Sequence, residues 1–317
     1  MDVGLILSGN DDLTWDQWRH SIALAERLQF STLYLSDHYF IRQQRESLEP
    51  FLAFVLAATE SERIRFGSLV SPVTFRRPVE VGRMAAQIDV LSNHRFLLGV
   101  GAGWVEAEHV AYGLPYPPTA ERMDRLDEAI RLMRSLWQPG PSEFAGTFYQ
   151  LNGADCQPKP GGNRVPIMIG GTGERRTLRI VAEQADEWNA GNLTVDQFAA
   201  KVAILHEHCE AVGRDPAEIA ISLTSFGFVG PTPEVVDEVT RTFIAQFESE
   251  SPDDLQQFRT NALERGLISG SRDEVVDYLG KMAELGVQEV GFRHYLFDSD
   301  EVPEYIAAEI MPVVADF

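Results

Sequence analysis

Short apolar runs alternate along this chain with segments whose apolar residues recur at helical spacing. Residues 3–7, 32–35, 65–70, 96–100, 165–169, 186–189, 219–224 and 289–292 have the length and composition of buried strands. Between the first two runs, Trp15, Trp18, Ile22 and Ala25 fall at i, i+3, i+7 and i+10 behind a candidate N-cap, Thr14. Pro50 opens a second helical segment, and Pro78 a third that carries Val81, Ala85, Ile88 and Leu91. The clearest stripe is Met123, Leu126, Ile130, Met133 and Trp137. Helices are also expected over residues 175–185, 195–212 and 302–314, and around Val275, Leu279, Met282 and Leu285, where Gly286 supplies the stop.

Strict alternation of strand and helix implies a parallel sheet. Eight repeats in 317 residues favour closure as a (β/α)8 TIM barrel over an open sheet. About 70 residues separate the fourth strand from the fifth, and the seventh from the eighth, against roughly 20–35 elsewhere. Insertions are therefore expected after strands 4 and 7, at about residues 139–164 and 231–270. The first has the pattern of a hairpin and the second is acidic and helical. With no low-complexity tract or linker, residues 1–317 read as one domain.

Charge and cysteine content narrow the function. Lys plus Arg is 27 against 48 Asp plus Glu, a formal charge of −21. An anionic excess of that size disfavours nucleic acid and acidic lipid as partners. An anionic ligand would have to be held locally, by arginines, loop amides or helix N-termini. The two cysteines, Cys156 and Cys209, cannot build a disulfide framework and suit a reducing cytoplasm. The first ten residues lack the pattern of a signal peptide, and no run of about 18 apolar residues is present.

In a barrel of this kind chemistry belongs at the C-terminal ends of the strands. After strand two come Asp37 and His38, which could bind a ligand and move a proton, or cap and pack a loop. After strand three, Ser68, Leu69 and Val70 leave room for a flat ring, or form an ordinary strand end. After strand four, Gly101, Ala102 and Gly103 let amides approach an anion, or make a tight turn. That turn lacks the acidic residue a dinucleotide fingerprint needs about 20 positions on. After strand five, Gly170, Gly171, Thr172, Gly173, Glu174 and Arg175 lead into a helix N-terminus with a second arginine, Arg176; this is the better phosphate site. No metal site is expected: His206, His208 and Cys209 lie mid-helix at spacings that do not share a face. Asp127 and Glu128 read as a solvated helix face.

Taken together, SDHYF (36–40), GSLVSPVTFRRP (67–78), AAQIDVLSNHRFLLGVGAGW (85–104) and IGGTGERRTLRIVAEQADEWN (169–189) make the chain resemble the luciferase-like monooxygenase superfamily. Within it the chain is most similar to the coenzyme F420-dependent (deazaflavin) oxidoreductase branch. The resemblance implies a homodimer with the cofactor ring at the C-terminal mouth. It also implies a non-proline cis peptide in strand three, at Ser68–Leu69. Asp37 would hydrogen-bond the ring edge, and His38 would sit near the reacting carbon. Ser68, Leu69 and Val70 would back the ring, Gly101, Ala102 and Gly103 would meet the cofactor tail, and residues Gly170 through Arg175 would hold its phosphate. The chain departs from the sugar-phosphate dehydrogenases of that branch by placing Trp104 where they have a glutamate, and Arg42 near the place of a tryptophan. Hydride transfer between F420 and a small organic substrate is the implied activity. An FMN-dependent two-component monooxygenase, and a non-catalytic flavin-binding protein, are the alternatives.

Overall fold

A computed structural model describes residues 1–41, 46–247, 252 and 254–317. Arg42 and part of the 231–270 segment lie outside these residues. Eight parallel strands form the centre: β1 Asp2–Leu7, β2 Thr32–Leu35, β3 Arg65–Ser68, β4 Phe96–Gly101, β5 Ile167–Gly170, β6 Glu187–Gly191, β7 Ala220–Ser225 and β8 Glu289–Arg293. Each pairs with its successor, and β1 pairs with β8 through Asp2↔Glu289 to Ile6↔Arg293, so the sheet closes. The expected (β/α)8 barrel is the observed fold.

Burial on both faces explains why the strands read as continuous apolar runs. Leu33 and Leu35 point outward into the core shared with the helices, while Tyr34 points inward. Ile6, Tyr34, Leu97 and Met168 make one inner layer, and Leu69 and Val70 rest on it. The closure between β3 and β4 depends on glycine. A Cβ on Gly67 would lie 2.0 Å from the Leu97 carbonyl oxygen, and one on Gly99 would lie 1.9 Å from that of Ser68. Gly67 and Gly99 thus make room for the neighbouring strand.

The helices start where their caps dictate. Thr14 caps α1 Trp15–Arg27 in a reciprocal box with Gln17, as its position suggests. Pro50 opens α2 Pro50–Glu60, and Pro78 opens α3 Pro78–Leu91. Between β4 and β5 lie α4 Glu106–Ala111, α5 Thr119–Trp137 and an antiparallel hairpin of Ser142–Ala145 with Gln150–Ala154. The short α4 has no counterpart in the sequence reading. The helix expected from residue 175 begins two residues later, as α6 Thr177–Gln184. Then come α7 Val195–Val212, α8 Pro233–Phe247, α9 Leu255–Glu264 and α10 Arg272–Glu284, with Gly286 at φ 94° after the last of these. Strand three ends at Ser68, breaks, and resumes as a two-residue stretch, Ser71–Pro72. No helix among the described residues is long and apolar enough to cross a membrane.

The N-terminal end of the barrel is closed by polar groups. Glu289 accepts hydrogen bonds from Ser31 Oγ (2.9 Å), Thr32 Oγ1 (2.7 Å) and the Tyr34 hydroxyl. Glu187, buried nearby, has one carboxyl oxygen without a hydrogen bond. Burial first, and then the like charge of Glu289, push Glu187 up from 4.5 to about 7. A fold that prefers the protonated acid loses stability as pH rises from 4.5 through 7, on the order of 3 kcal/mol in all. His294, lowered from 6.5 to about 4 chiefly by burial, acts oppositely and costs stability as pH falls through that range. The two effects offset each other in the parent. We therefore predict that the stability of Glu187→Gln minus that of the parent, from urea denaturation, rises between pH 4.5 and 7 and is level above. A difference that does not change with pH would contradict this.

Candidate functional site

All eight strand ends open on one cavity of about 330 Å³ at the C-terminal mouth. Its size suits a small-molecule site. Ile6, Ile41, Leu69 and Val70 give it apolar surface, and Ser8 and Asn10 after β1, Asn189 on β6 and Thr224 on β7 supply polar groups. The turns leaving β4 and β5 converge here: Gly103 and Trp104 on one side, Gly170 and Gly171 on the other.

The break in β3 shapes the floor. A cis peptide joins Leu69 and Val70. It lies one bond later than the expected Ser68–Leu69. Ser68 belongs instead to the sheet, with its hydroxyl donating to the Gly99 carbonyl at 2.8 Å. Val70 fills the space two glycines leave open. A Cβ on Gly101 would lie 2.8 Å from Val70 Cγ2, and one on Gly170 would lie 3.0 Å from Val70 Cγ1. Gly101 and Ala102 do not line the cavity. Gly101 serves the floor by making room for Val70, and of the strand-four turn only Gly103, at φ 78°, reaches the site with Trp104.

His38 lines the cavity, with its side chain 14% exposed. Its Nδ1 lies 2.9 Å from Glu108 Oε2. Glu108 stands on α4, is itself buried, and its other oxygen accepts from the amides of Tyr39 (2.6 Å) and Phe40 (3.2 Å). A carboxylate at Nδ1 puts the neutral imidazole's proton there, so Nε2 carries the lone pair. Nε2 has no hydrogen-bond partner among the described residues. The Trp104 indole packs against the imidazole edge-on, at 5.9 Å between ring centres, and is itself 67% exposed.

Asp37 faces elsewhere. Both its oxygens bind Arg76, at 2.6 and 3.2 Å, and Ser71 Oγ donates to one of them at 2.5 Å. Arg76 also reaches Glu49 at 2.7 Å. Asp37 is buried, and it does not line the cavity. It ties the exit of β2 to the far side of the β3 break. Arg76 lies within the GSLVSPVTFRRP segment (67–78), where nothing local marks it as the partner of Asp37.

The turn after β5 leaves the cavity at Gly171 and passes along the rim. The amides of Thr172, Gly173, Glu174 and Arg175 donate to no acceptor among the described residues. Helix α7 secures this turn: Lys201 Nζ lies 2.6 Å from Glu174 Oε1, and His208 Nε2 lies 2.8 Å from the Glu174 carbonyl oxygen. Arg176 is taken up by Asp124 and the Ala120 carbonyl, whereas Arg175 is exposed and makes no hydrogen bond or ion pair among the described residues. Amides without acceptors, a helix N-terminus and an exposed guanidinium are the donor types a phosphate cradle needs. An apolar floor with such a cradle on its rim fits a phosphorylated flat ring.

A profile of the luciferase-like monooxygenase family matches residues 5–289. An F420-dependent glucose-6-phosphate dehydrogenase of Microbacterium testaceum is 26% identical over 91% of this chain and 90% of its own. An FMNH(2)-dependent dimethylsulfone monooxygenase of Pseudomonas putida is 27% identical over 99% and 92%. Among solved structures, an F420-dependent secondary alcohol dehydrogenase in complex with an F420-acetone adduct superposes with a TM-score of 0.81 at 18% identity, covering 99% of this chain and 98% of that one.

The floor geometry gives a test. Gly101→Ala should destabilise the chain by about 1–3 kcal/mol through overpacking against Val70. Val70→Ala in the same chain should restore most of the loss. Additive effects in a double-mutant denaturation cycle would show that the two positions are not in contact.

Proposed function

The chain belongs to the luciferase-like monooxygenase family, and on that premise we propose that it is a coenzyme F420-dependent oxidoreductase moving a hydride between the deazaflavin and a small organic substrate. The observation that carries this reading is the His38–Glu108 pair, which engages Nδ1 and leaves Nε2 without a partner among the described residues, on a residue lining a cavity floored by Leu69 and Val70. Those two residues would back the ring, and the amides from Thr172 to Arg175, with the Arg175 guanidinium, would hold the phosphate. Bound there, the deazaflavin supplies the two-electron chemistry.

His38 handles the matching proton. Reducing a carbonyl leaves an oxygen that must gain a proton, and oxidising an alcohol releases one. In the neutral tautomer Nε2 takes the proton an alcohol releases; in the imidazolium form, with its charge balanced by Glu108, Nε2–H gives a proton to the oxygen of a reduced carbonyl. Trp104 offers no acid or base, and its apolar face favours an organic substrate over a sugar phosphate. The F420 dependence of the Microbacterium relative supports the cofactor assignment. The FMNH(2) dependence of the Pseudomonas relative makes FMN the competing cofactor. The exposed Leu52, Val55, Val90 and Leu91 on α2 and α3 would supply the apolar face of a homodimer; sedimentation as a monomer at micromolar concentration would remove that assignment.

Anaerobic titration of the unloaded chain separates the cofactors: F420 should bind more tightly than FMN, and the reverse order would establish the monooxygenase reading. Arg175→Ala should weaken either phosphorylated cofactor by about tenfold and leave the phosphate-free deazaflavin riboside unaffected. Equal losses for both would place the phosphate elsewhere. His38→Ala should cut turnover of any acceptor about 10²–10⁴-fold with cofactor affinity preserved. Glu108→Gln should lower turnover in the same direction. A fully active His38→Ala would take His38 out of the mechanism.

A further inference from the structure

Arg293, the last residue of β8, forms one wall of the cavity and is 6% exposed. Its guanidinium lies over Phe226 at 5.3 Å, Phe247 at 4.6 Å and Tyr295 at 5.2 Å. Nη2 does all the hydrogen bonding, to Asp11 and to Gln246 Oε1 at 3.1 Å. Nε is buried with no acceptor, and Nη1 donates to nothing among the described residues. A buried cation so incompletely satisfied is uncommon and calls for a partner. The protein has already neutralised its charge with Asp11, whose side chain is 3% exposed.

We infer that Arg293 is a specificity-determining residue: it donates from Nη1 to an uncharged oxygen acceptor, such as a ketone carbonyl, on a compact apolar substrate. The charge balance selects the class. A carboxylate beside this buried pair would leave one negative charge in excess, since Asp11 already occupies the cation. The aromatic faces around the guanidinium suit an apolar body. This inference rests on the cavity being the substrate site of the proposed oxidoreductase, and it names the substrate's chemistry.

Three probes of matched shape test it by saturation-transfer NMR: cyclohexanone, cyclohexanecarboxylate and methylcyclohexane. The parent should bind the ketone in preference to the other two. Arg293→Lys keeps the charge opposite Asp11 but loses the planar donor set, and should weaken the ketone about tenfold. Asp11→Asn keeps an acceptor for Nη2 but leaves the cation uncompensated, so it should gain binding of the carboxylate. A merely structural Arg293–Asp11 pair would give no such gain, and a variant that failed to fold could not show one. Carboxylate binding by the parent equal to that of the ketone, undiminished ketone binding by Arg293→Lys, or no gain in Asp11→Asn would each overturn the proposal. F420 and FMN titrations of the parent judge the redox reading separately. A chain that binds neither cofactor yet keeps this probe pattern would lose that reading and retain the assignment of Arg293.

Discussion

The carboxylate of Glu108 is the constraint on which the site depends. It sits in a buried position on a helix of only six residues and accepts from three groups at once: the His38 imidazole and the amides of Tyr39 and Phe40. Those three donors belong to one short stretch leaving β2. The bonds therefore hold the loop after β2 against the helix after β4 and aim the imidazole in the same act. Charge-assisted bonds to amides are among the stronger ones available. Without them the loop would have to find other acceptors for two amides, and His38 would lose its preferred tautomer.

A second arrangement sets the floor. The chain leaves the sheet after Ser68 and rejoins it at Ser71. Between those points Leu69 and Val70 turn onto the inner layer of the barrel, where Gly101 and Gly170 give Val70 its space. Asp37 and Arg76 brace the outer side of the same break. The Leu69–Val70 floor, His38 and the turn after β5 are thus supplied by different strand ends, and each is set by contacts with other elements. Such division lets a barrel of fixed geometry vary its chemistry through loops.

The barrel was legible because period and length agree along the whole chain: eight buried runs, each followed by a helical stripe. That His38, Gly170 and Gly171 would face one mouth was legible because they follow or end strands, and strand ends converge there. The same positional filter, applied to every strand, would have reached Asn10, Asn189, Thr224 and Arg293, which line the cavity after or near the ends of β1, β6, β7 and β8. Other features were not legible. Glu108 lies in a segment too short to show a helical stripe, and its sequence, EAEHVA, reads as an acidic surface. Asp37 looks equivalent to His38 until Arg76, 39 residues away, is seen to claim both its oxygens. Gly101 suggests an anion-binding amide, yet its missing side chain accommodates Val70. Which of these roles a residue takes is decided by tertiary partners, and local sequence carries no record of them.

The strongly acidic composition gives the site's cations their meaning. In a chain of net charge −21, Arg175 is exposed and makes no hydrogen bond or ion pair among the described residues, whereas Arg293 is buried and paired with Asp11. On the proposed reading the first would meet a charged group and the second a neutral one. A crystal structure of the chain soaked with F420 tests the whole arrangement most directly. The ring should lie on Leu69 and Val70, beside His38 Nε2, with the phosphate on the amides from Thr172 to Arg175. A ring lying elsewhere in the barrel, or a phosphate held away from that turn, would contradict it.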